Sequence, residues 1–148
     1  MINFKIILNV LGYLLVALSI LLIVPIIIDL ISGNESWKSF LISLIITLGF
    51  GVTFLLSTRN ELKNKILTQD AFLITTLSWI FISIFGALPF FFLDSSLSLT
   101  NSIFESMSGI TTTGSTIFNE VENLPQGILI WRSILQWVGG VGIIVMAV

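Results

Sequence analysis

Four apolar segments, each long enough to cross a lipid bilayer as a helix, constrain the fold of this chain more than any other feature. They lie at residues 6–31, 37–56, 71–93 and 127–148. A helix rises about 1.5 Å per residue, so crossing the hydrocarbon layer takes about 20 apolar residues. With 55% hydrophobic and only 9% charged residues, the chain cannot cover a water-facing surface. The sequence therefore predicts an all-α integral membrane protein.

Basic residues give these segments an orientation. Arg59, Lys63 and Lys65 lie between the second and third segments, whereas the stretch 94–126 carries acidic residues and no lysine or arginine. Basic loops stay on the cytoplasmic side. We therefore expect a multi-pass protein of the cytoplasmic (inner) membrane, with its N terminus in the cytoplasm and residues 94–126 outside. Lys38 is a single basic residue on the predicted outer side.

Several residues inside the apolar segments carry expectations of their own. Pro25 has no N–H to donate, so we expect a kink in the first segment. Asp29 lies near the outer end of that segment, where we expect its carboxylate to reach the lipid headgroups. Trp131 is expected in the interfacial aromatic belt. The glycines of WVGGVG (137–142) are expected to allow close helix packing, with a gating hinge as the alternative.

The residue types that are missing narrow the possible chemistry. Cysteine and histidine are both absent, which excludes disulfides, thiol chemistry and histidine-based acid–base catalysis or metal binding. A membrane-embedded enzyme would need Asp29 and Glu105 as catalytic residues, but they lie on different segments without a phosphate-binding loop. We predict that the chain is not an enzyme, and its net charge of −2 gives no reason to expect a nucleic-acid partner.

The segment ESMSGITTTGSTIF (105–118) separates the last two apolar segments and is too polar at its centre for either of them. Ser98 can cap a short helix over 99–110, which at roughly 18 Å is too short to span. The chain must then return through 111–116, and non-helical backbone at membrane depth is tolerated only inside protein or along a water-filled cavity. The pattern predicts a pore loop between two flanking helices.

The composition of this loop suits a dehydrated monovalent cation. Such ions lose their water only where oxygens replace it, and channels use stacked backbone carbonyls for this purpose. Gly114 can adopt the unusual dihedral angles that aligning carbonyls requires, because it has no Cβ. Threonine hydroxyls can add further oxygen ligands without a net charge. The alternative for this stretch is a plain polar turn.

Two motifs carry a family resemblance. TTTGST (111–116) resembles the potassium-channel filter pattern T-[TV]-G-x-G without its last glycine, and FESMSGITTTG (104–114) precedes and overlaps it. The later R-x-x-x-Q-W-x-G-G-x-G-I (132–143) follows in the same order as in the Trk/Ktr potassium-uptake family. The resemblance covers about 70–148, and the two extra leading helices are similar to those of the longer, TrkH-like members.

The resemblance implies a potassium-channel-like arrangement. Residues 1–69 would be two leading transmembrane helices and a cytoplasmic loop, and 70–148 the first pore module. The parts of that module would be the outer helix 71–93, the pore helix 99–110, the filter loop 111–116 and the inner helix 127–148. Family members carry four such modules in one polypeptide. We therefore expect a fragment of a longer chain, with assembly of four copies as the alternative.

Site residues also follow from the resemblance. It assigns the potassium-binding selectivity filter to five positions: Thr111, Thr112, Thr113, Gly114 and Ser115. The backbone carbonyls of Thr112, Thr113 and Gly114 would bind K⁺, with Thr111 and Thr112 at the inner end. Ser115 and Thr116 would form the outer mouth.

A charged pair is the second candidate feature of the site. Our hypothesis is that Arg132 in the last segment pairs with Glu105 on the short helix and supports the filter from behind. Pairing would cancel two costly, partly buried charges. The alternative is that the long arginine side chain reaches the outer membrane interface alone.

The expected function is potassium ion uptake across the cytoplasmic membrane through a carbonyl-lined selectivity filter, as part of a Trk-type system. The transported ion would be K⁺, with no covalently bound cofactor. The resemblance implies a homodimer of the full-length chain in the lipid bilayer and a cytosolic nucleotide-binding, TrkA-like regulatory subunit. Channel and H⁺- or Na⁺-coupled transport both remain open. The alternative is a small four-helix membrane accessory or scaffold protein without a pore.

Overall fold

The computed structural model describes residues 3–58, 67–93 and 97–147, with side chains described up to residue 142. This part of the chain contains six α-helices: α1 (Phe4–Leu21), α2 (Ile23–Ser32), α3 (Trp37–Thr58), α4 (Thr68–Leu93), α5 (Leu99–Ile110) and α6 (Gln126–Ala147). A single 3₁₀ turn at Val121–Asn123 precedes α6 in the described residues. Arg59, Lys63, Lys65 and Asp94, on which the predicted orientation partly rests, lie outside them.

Three continuous stretches of the described residues are long and apolar enough to cross a membrane. They are Phe4–Ser32, Trp37–Thr58 and Thr68–Leu93. The first consists of α1 and α2, which meet at Leu22, three residues before Pro25. Because Pro25 has no N–H for the carbonyl four residues earlier, the helical hydrogen-bond ladder is interrupted where the sequence predicts a kink.

Helices α1, α2 and α3 form a unit that we call the leading hairpin. Its helices α1 and α3 approach closely at two glycines: a Cβ added to Gly51 would lie 2.9 Å from Cγ2 of Val16, and one added to Gly12 would lie 3.0 Å from Leu55. The Nδ2 of Asn9 also donates to Oγ1 of Thr58 across this contact, at 2.8 Å. Small residues allow such close packing in membranes.

The buried carboxylate of Asp70 joins the beginnings of α1 and α4. Its Oδ1 accepts a hydrogen bond from the N–H of Asn3 at 3.0 Å, and its Oδ2 accepts one from the N–H of Leu67 at 3.1 Å. Both N–H groups flank a helix start, where the first turn leaves donors without intrahelical acceptors. The two helices therefore begin side by side.

Trp131 lies in the core of the chain, so its expected place in the interfacial belt is wrong. The side chain, on α6, is fully buried against α3 and α4. Its ring stands edge-on to that of Phe40 on α3, at a centroid distance of 6.4 Å. Its Nε1 donates to the carbonyl oxygen of Gly86 at 3.0 Å. This carbonyl satisfies the indole N–H inside the protein, so the side chain does not need the polar membrane surface.

Candidate functional site

Helix α5, which precedes the polar loop, packs against α4 and α6. Ser98 caps the helix, and its Oγ accepts from the N–H of Asn101 at 3.2 Å. A Cβ added to Gly86 of α4 would lie 2.7 Å from Oγ of Ser106 on α5. One added to Gly139 of α6 would overlap the carbonyl oxygen of Ile110, the last residue of α5. Glycines on both neighbours therefore let α5 sit directly on their backbones, and Gly139 serves packing as the sequence predicts.

The loop backbone contains two residues in the left-handed region. Gly114 has a φ of +78°, which agrees with the expectation that this position needs unusual dihedral angles. Thr112 has a φ of +57°, which the sequence did not predict, because a β-branched residue rarely adopts it. Such a conformation costs about 1–3 kcal/mol and persists only where surrounding contacts enforce it.

Hydrogen bonds to α5 hold Thr112 and its neighbours in this conformation. The N–H of Thr112 donates to the carbonyl of Gly109 at 3.0 Å, and those of Thr113 and Gly114 donate to the carbonyl of Ser108 at 3.0 and 3.4 Å. These acceptors belong to the last turn of α5, whose carbonyls have no partners within the helix. Three consecutive N–H groups of the loop therefore point toward α5.

The carbonyls of the same peptide units point away from α5. In a trans peptide unit, the C=O of one residue and the N–H of the next residue point in opposite directions. The N–H groups of residues 112–114 point toward α5, so the carbonyls of residues 111–113 point away from it. Within the described residues, no donor reaches the carbonyls of positions 111–114. Residues 111–116 are all exposed on the surface of the chain. The loop thus presents a row of available oxygen acceptors.

Side chains of alternate loop residues occupy the opposite side of this row. Thr111, Thr113 and Ser115 line a cavity of about 190 Å³ together with residues of α5. Oγ1 of Thr111 donates to the carbonyl of Met107 at 2.8 Å and also contacts Oγ1 of Thr113 at 2.8 Å. Ser108 Oγ donates to the carbonyl of Ser115 at 2.6 Å. These contacts fix the loop to α5 from the side facing away from the free carbonyls.

The structure brings Arg132 and Glu105 together. Nε of Arg132 lies 2.8 Å from Oε1 of Glu105, and the two side chains are only 14% and 1% exposed. The alternative in which the arginine reaches the membrane interface alone is therefore not the observed one. The same carboxylate accepts from Oγ1 of Thr116 at 3.1 Å and from the N–H of Ile117 at 3.0 Å. Glu105 thus connects α6 to the end of the 111–116 loop.

Comparison with known proteins identifies the family. The family model named TrkH, described as a cation transport protein, matches residues 36–148. The chain belongs to the TrkH family. The Trk system potassium uptake protein TrkH of Halomonas elongata is 41% identical over 147 residues, and that of Escherichia coli K12 is 37% identical over 147 residues. Each match covers 99% of this chain but 30% of the relative, so the chain spans less than a third of their length.

A solved TrkH structure has the same fold over this region. The crystal structure of the potassium transporter TrkH from Vibrio parahaemolyticus superimposes with a TM-score of 0.92 and 33% identity, covering 99% of this chain and 31% of that one. The family resemblance and the all-α prediction are therefore confirmed. The prediction that the chain is not an enzyme is also confirmed, because the TrkH relatives are named as potassium uptake proteins.

Asp29 of this TrkH-family chain is, after Trp131, a second residue for which the sequence predicts the wrong place. Instead of reaching the headgroups, its side chain is fully buried. Its Oδ1 accepts from the N–H of Gly127 at 2.7 Å, and its Oδ2 accepts from Oγ of Ser36 at 2.6 Å. The carboxylate stays inside because these donors replace its water. An ionisable residue within an apolar segment was the signal available, since such residues usually face the protein interior.

Proposed function

We propose that residues 111–115 form one side of a K⁺ selectivity filter in a Trk-type potassium uptake protein, and that backbone carbonyls bind the ion. The observation that carries this proposal is the row of carbonyls at positions 111–113, which lack hydrogen-bond donors among the described residues while the N–H groups of the same peptide units bond to α5. The family membership and the potassium uptake named for its relatives support it.

The chemistry of the loop suits K⁺. A dehydrated monovalent cation needs several oxygens that carry partial rather than full negative charge, and carbonyls provide them. The carbonyl of Thr111 joins those of Thr112 and Thr113 as a proposed ligand, because the N–H groups of these three peptide units all donate to α5. The carbonyl of Gly114 is a proposed ligand on the family resemblance. Among the described residues, the carboxylate in contact with this loop is that of Glu105, which already pairs with Arg132.

The proposed pore module consists of α4, α5, the loop and α6. This chain would supply one side of the ion pathway, and the rest of the full-length transporter would supply the others. A homodimer of that protein and a cytosolic nucleotide-binding, TrkA-like regulatory subunit complete the proposed Trk system. The N terminus would lie in the cytoplasm together with the start of α4, to which Asp70 connects it.

Uptake of ⁸⁶Rb⁺ by a potassium-uptake-deficient bacterium tests the proposal. The complete reading frame containing this segment is expressed as wild type, as Gly114→Ser and as Gly33→Ser. The last is a matched control, because Gly33 in the turn after α2 also has a positive φ, +71°. An added Cβ at either glycine meets no atom of the described residues within 4 Å. Any difference between the two variants therefore reports on position and not on a general backbone cost.

We expect Gly114→Ser to lose uptake or its preference for Rb⁺ over Na⁺, and Gly33→Ser to keep both, at equal amounts in the membrane. Equal behaviour of Gly114→Ser and wild type would refute a filter at this loop. It would instead favour an accessory or scaffold role for this region.

A further inference from the structure

The buried carboxylate of Asp29 connects the leading hairpin to the start of α6. Asp29 belongs to α2, and the N–H of Gly127 that it accepts lies in the first turn of α6, 98 residues later in the chain. Ser36, between α2 and α3, donates to the other carboxylate oxygen. Next to it, Oγ of Ser32 donates to Oε1 of Gln126 at 2.7 Å. Two hydrogen bonds thus join α2 to α6 at one place.

Helix α6 and the carboxylate fit each other at this contact. The first N–H groups of a helix have no intrahelical acceptors and carry partial positive charge, so an anionic acceptor stabilises them. Gly127 leaves room for it, because an added Cβ would overlap the carboxylate of Asp29. Any side chain at position 127 would therefore displace the carboxylate of Asp29 from the N–H group that it accepts.

A continuous set of contacts leads from this pair to the loop at 111–116. Arg132 follows Gly127 by five residues on α6 and pairs with Glu105 on α5. Glu105 in turn accepts hydrogen bonds from Thr116 and Ile117 at the end of the loop. The depth and rotation of the first turns of α6 therefore determine where Arg132 holds Glu105.

We propose that Asp29 is a positioning residue of the ion pathway, although it lies outside the pore module. It fixes the outer end of α6 to the leading hairpin and, through the Arg132–Glu105 pair, fixes the loop that selects the ion. This inference rests on the proposed function. It assigns to the leading hairpin a part in selectivity beyond membrane anchoring.

The test compares single and double variants in the complete reading frame. We expect Asp29→Ala and Gly127→Ala each to lower the preference for Rb⁺ over Na⁺ about tenfold, the size of one charge-assisted hydrogen bond. The double variant should be no worse than either single one, because the added Cβ no longer meets a carboxylate. Independent effects would instead multiply to about a hundredfold. Gly49→Ala is the control, since an added Cβ there meets no atom within 4 Å in the part of the chain that the structure describes.

Two results would overturn the inference. One is a purely structural effect, in which the Asp29 and Gly127 variants lower the amount of protein in the membrane but leave the half-saturating Rb⁺ concentration and the ion preference unchanged. The other is multiplication of the two single effects. Gly114→Ser, measured alongside, separates this failure from failure of the filter: if it loses the ion preference while the Asp29 variants keep it, only the role of Asp29 is wrong.

Discussion

Removal of the positive charge at Arg132 is the most informative perturbation of the site. In Arg132→Gln, the carboxylate of Glu105 stays 99% buried but loses its charged partner. Breaking a buried ion pair from one side costs about 3–5 kcal/mol. Because Glu105 keeps its hydrogen bonds from Thr116 and Ile117, we expect the lower end, about 3 kcal/mol, expressed as displacement of the loop or loss of folded protein.

The assay is ⁸⁶Rb⁺ uptake with Na⁺ as competitor, together with the melting temperature of the purified full-length protein. Arg132→Gln and Glu105→Gln should each reduce ion preference and melting temperature. The double variant should recover part of both, because no isolated charge remains buried.

The exposed Lys38–Glu35 pair, 2.9 Å apart, is the internal control, and Lys38→Gln should change little. Near-normal uptake and preference in Arg132→Gln, at equal membrane levels, would refute the reasoning.

Two further predictions concern packing. Gly139→Ala should reduce uptake at least about tenfold, because the new methyl group would push the end of α5 at Ile110 off α6. Gly142→Ala, with no atom of the described residues within 4 Å of the added Cβ, should transport normally. Equal uptake by both variants would contradict this packing. Trp131→Phe loses the hydrogen bond to Gly86 and should destabilise the protein by about 1 kcal/mol while uptake persists. Thermal unfolding of the purified protein measures this, and an unchanged melting temperature would count against the bond.

Features that depend on neighbouring residues in the sequence were predictable. The length of the apolar segments predicts the spanning helices, and the cap at Ser98 with the following periodicity predicts a short helix over 99–110, where α5 lies. The need for a left-handed residue at Gly114 also follows from local chemistry. In each case the cause is a helix end or a backbone angle, which a few adjacent residues determine.

Features that depend on distant partners were not predictable. Hydropathy cannot distinguish a side chain that faces lipid from one that faces another helix, because both surroundings are apolar. The sequence therefore predicts Trp131 and Asp29 at the membrane surface, whereas their hydrogen-bond partners lie 45 and 98 residues away in the chain. The positive φ of Thr112 contradicts its local preference and follows from hydrogen bonds that only the folded α5 supplies.

The outward carbonyls of residues 111–113 have a consequence for biogenesis. In hydrocarbon, each backbone N–H or C=O group without a hydrogen-bond partner costs roughly several kcal/mol. In the proposed full-length transporter, the loop would avoid this cost during synthesis only in contact with water. The growing protein would then keep a hydrated vestibule open beside α5, and the remaining segments would close around water before the proposed K⁺ replaces it.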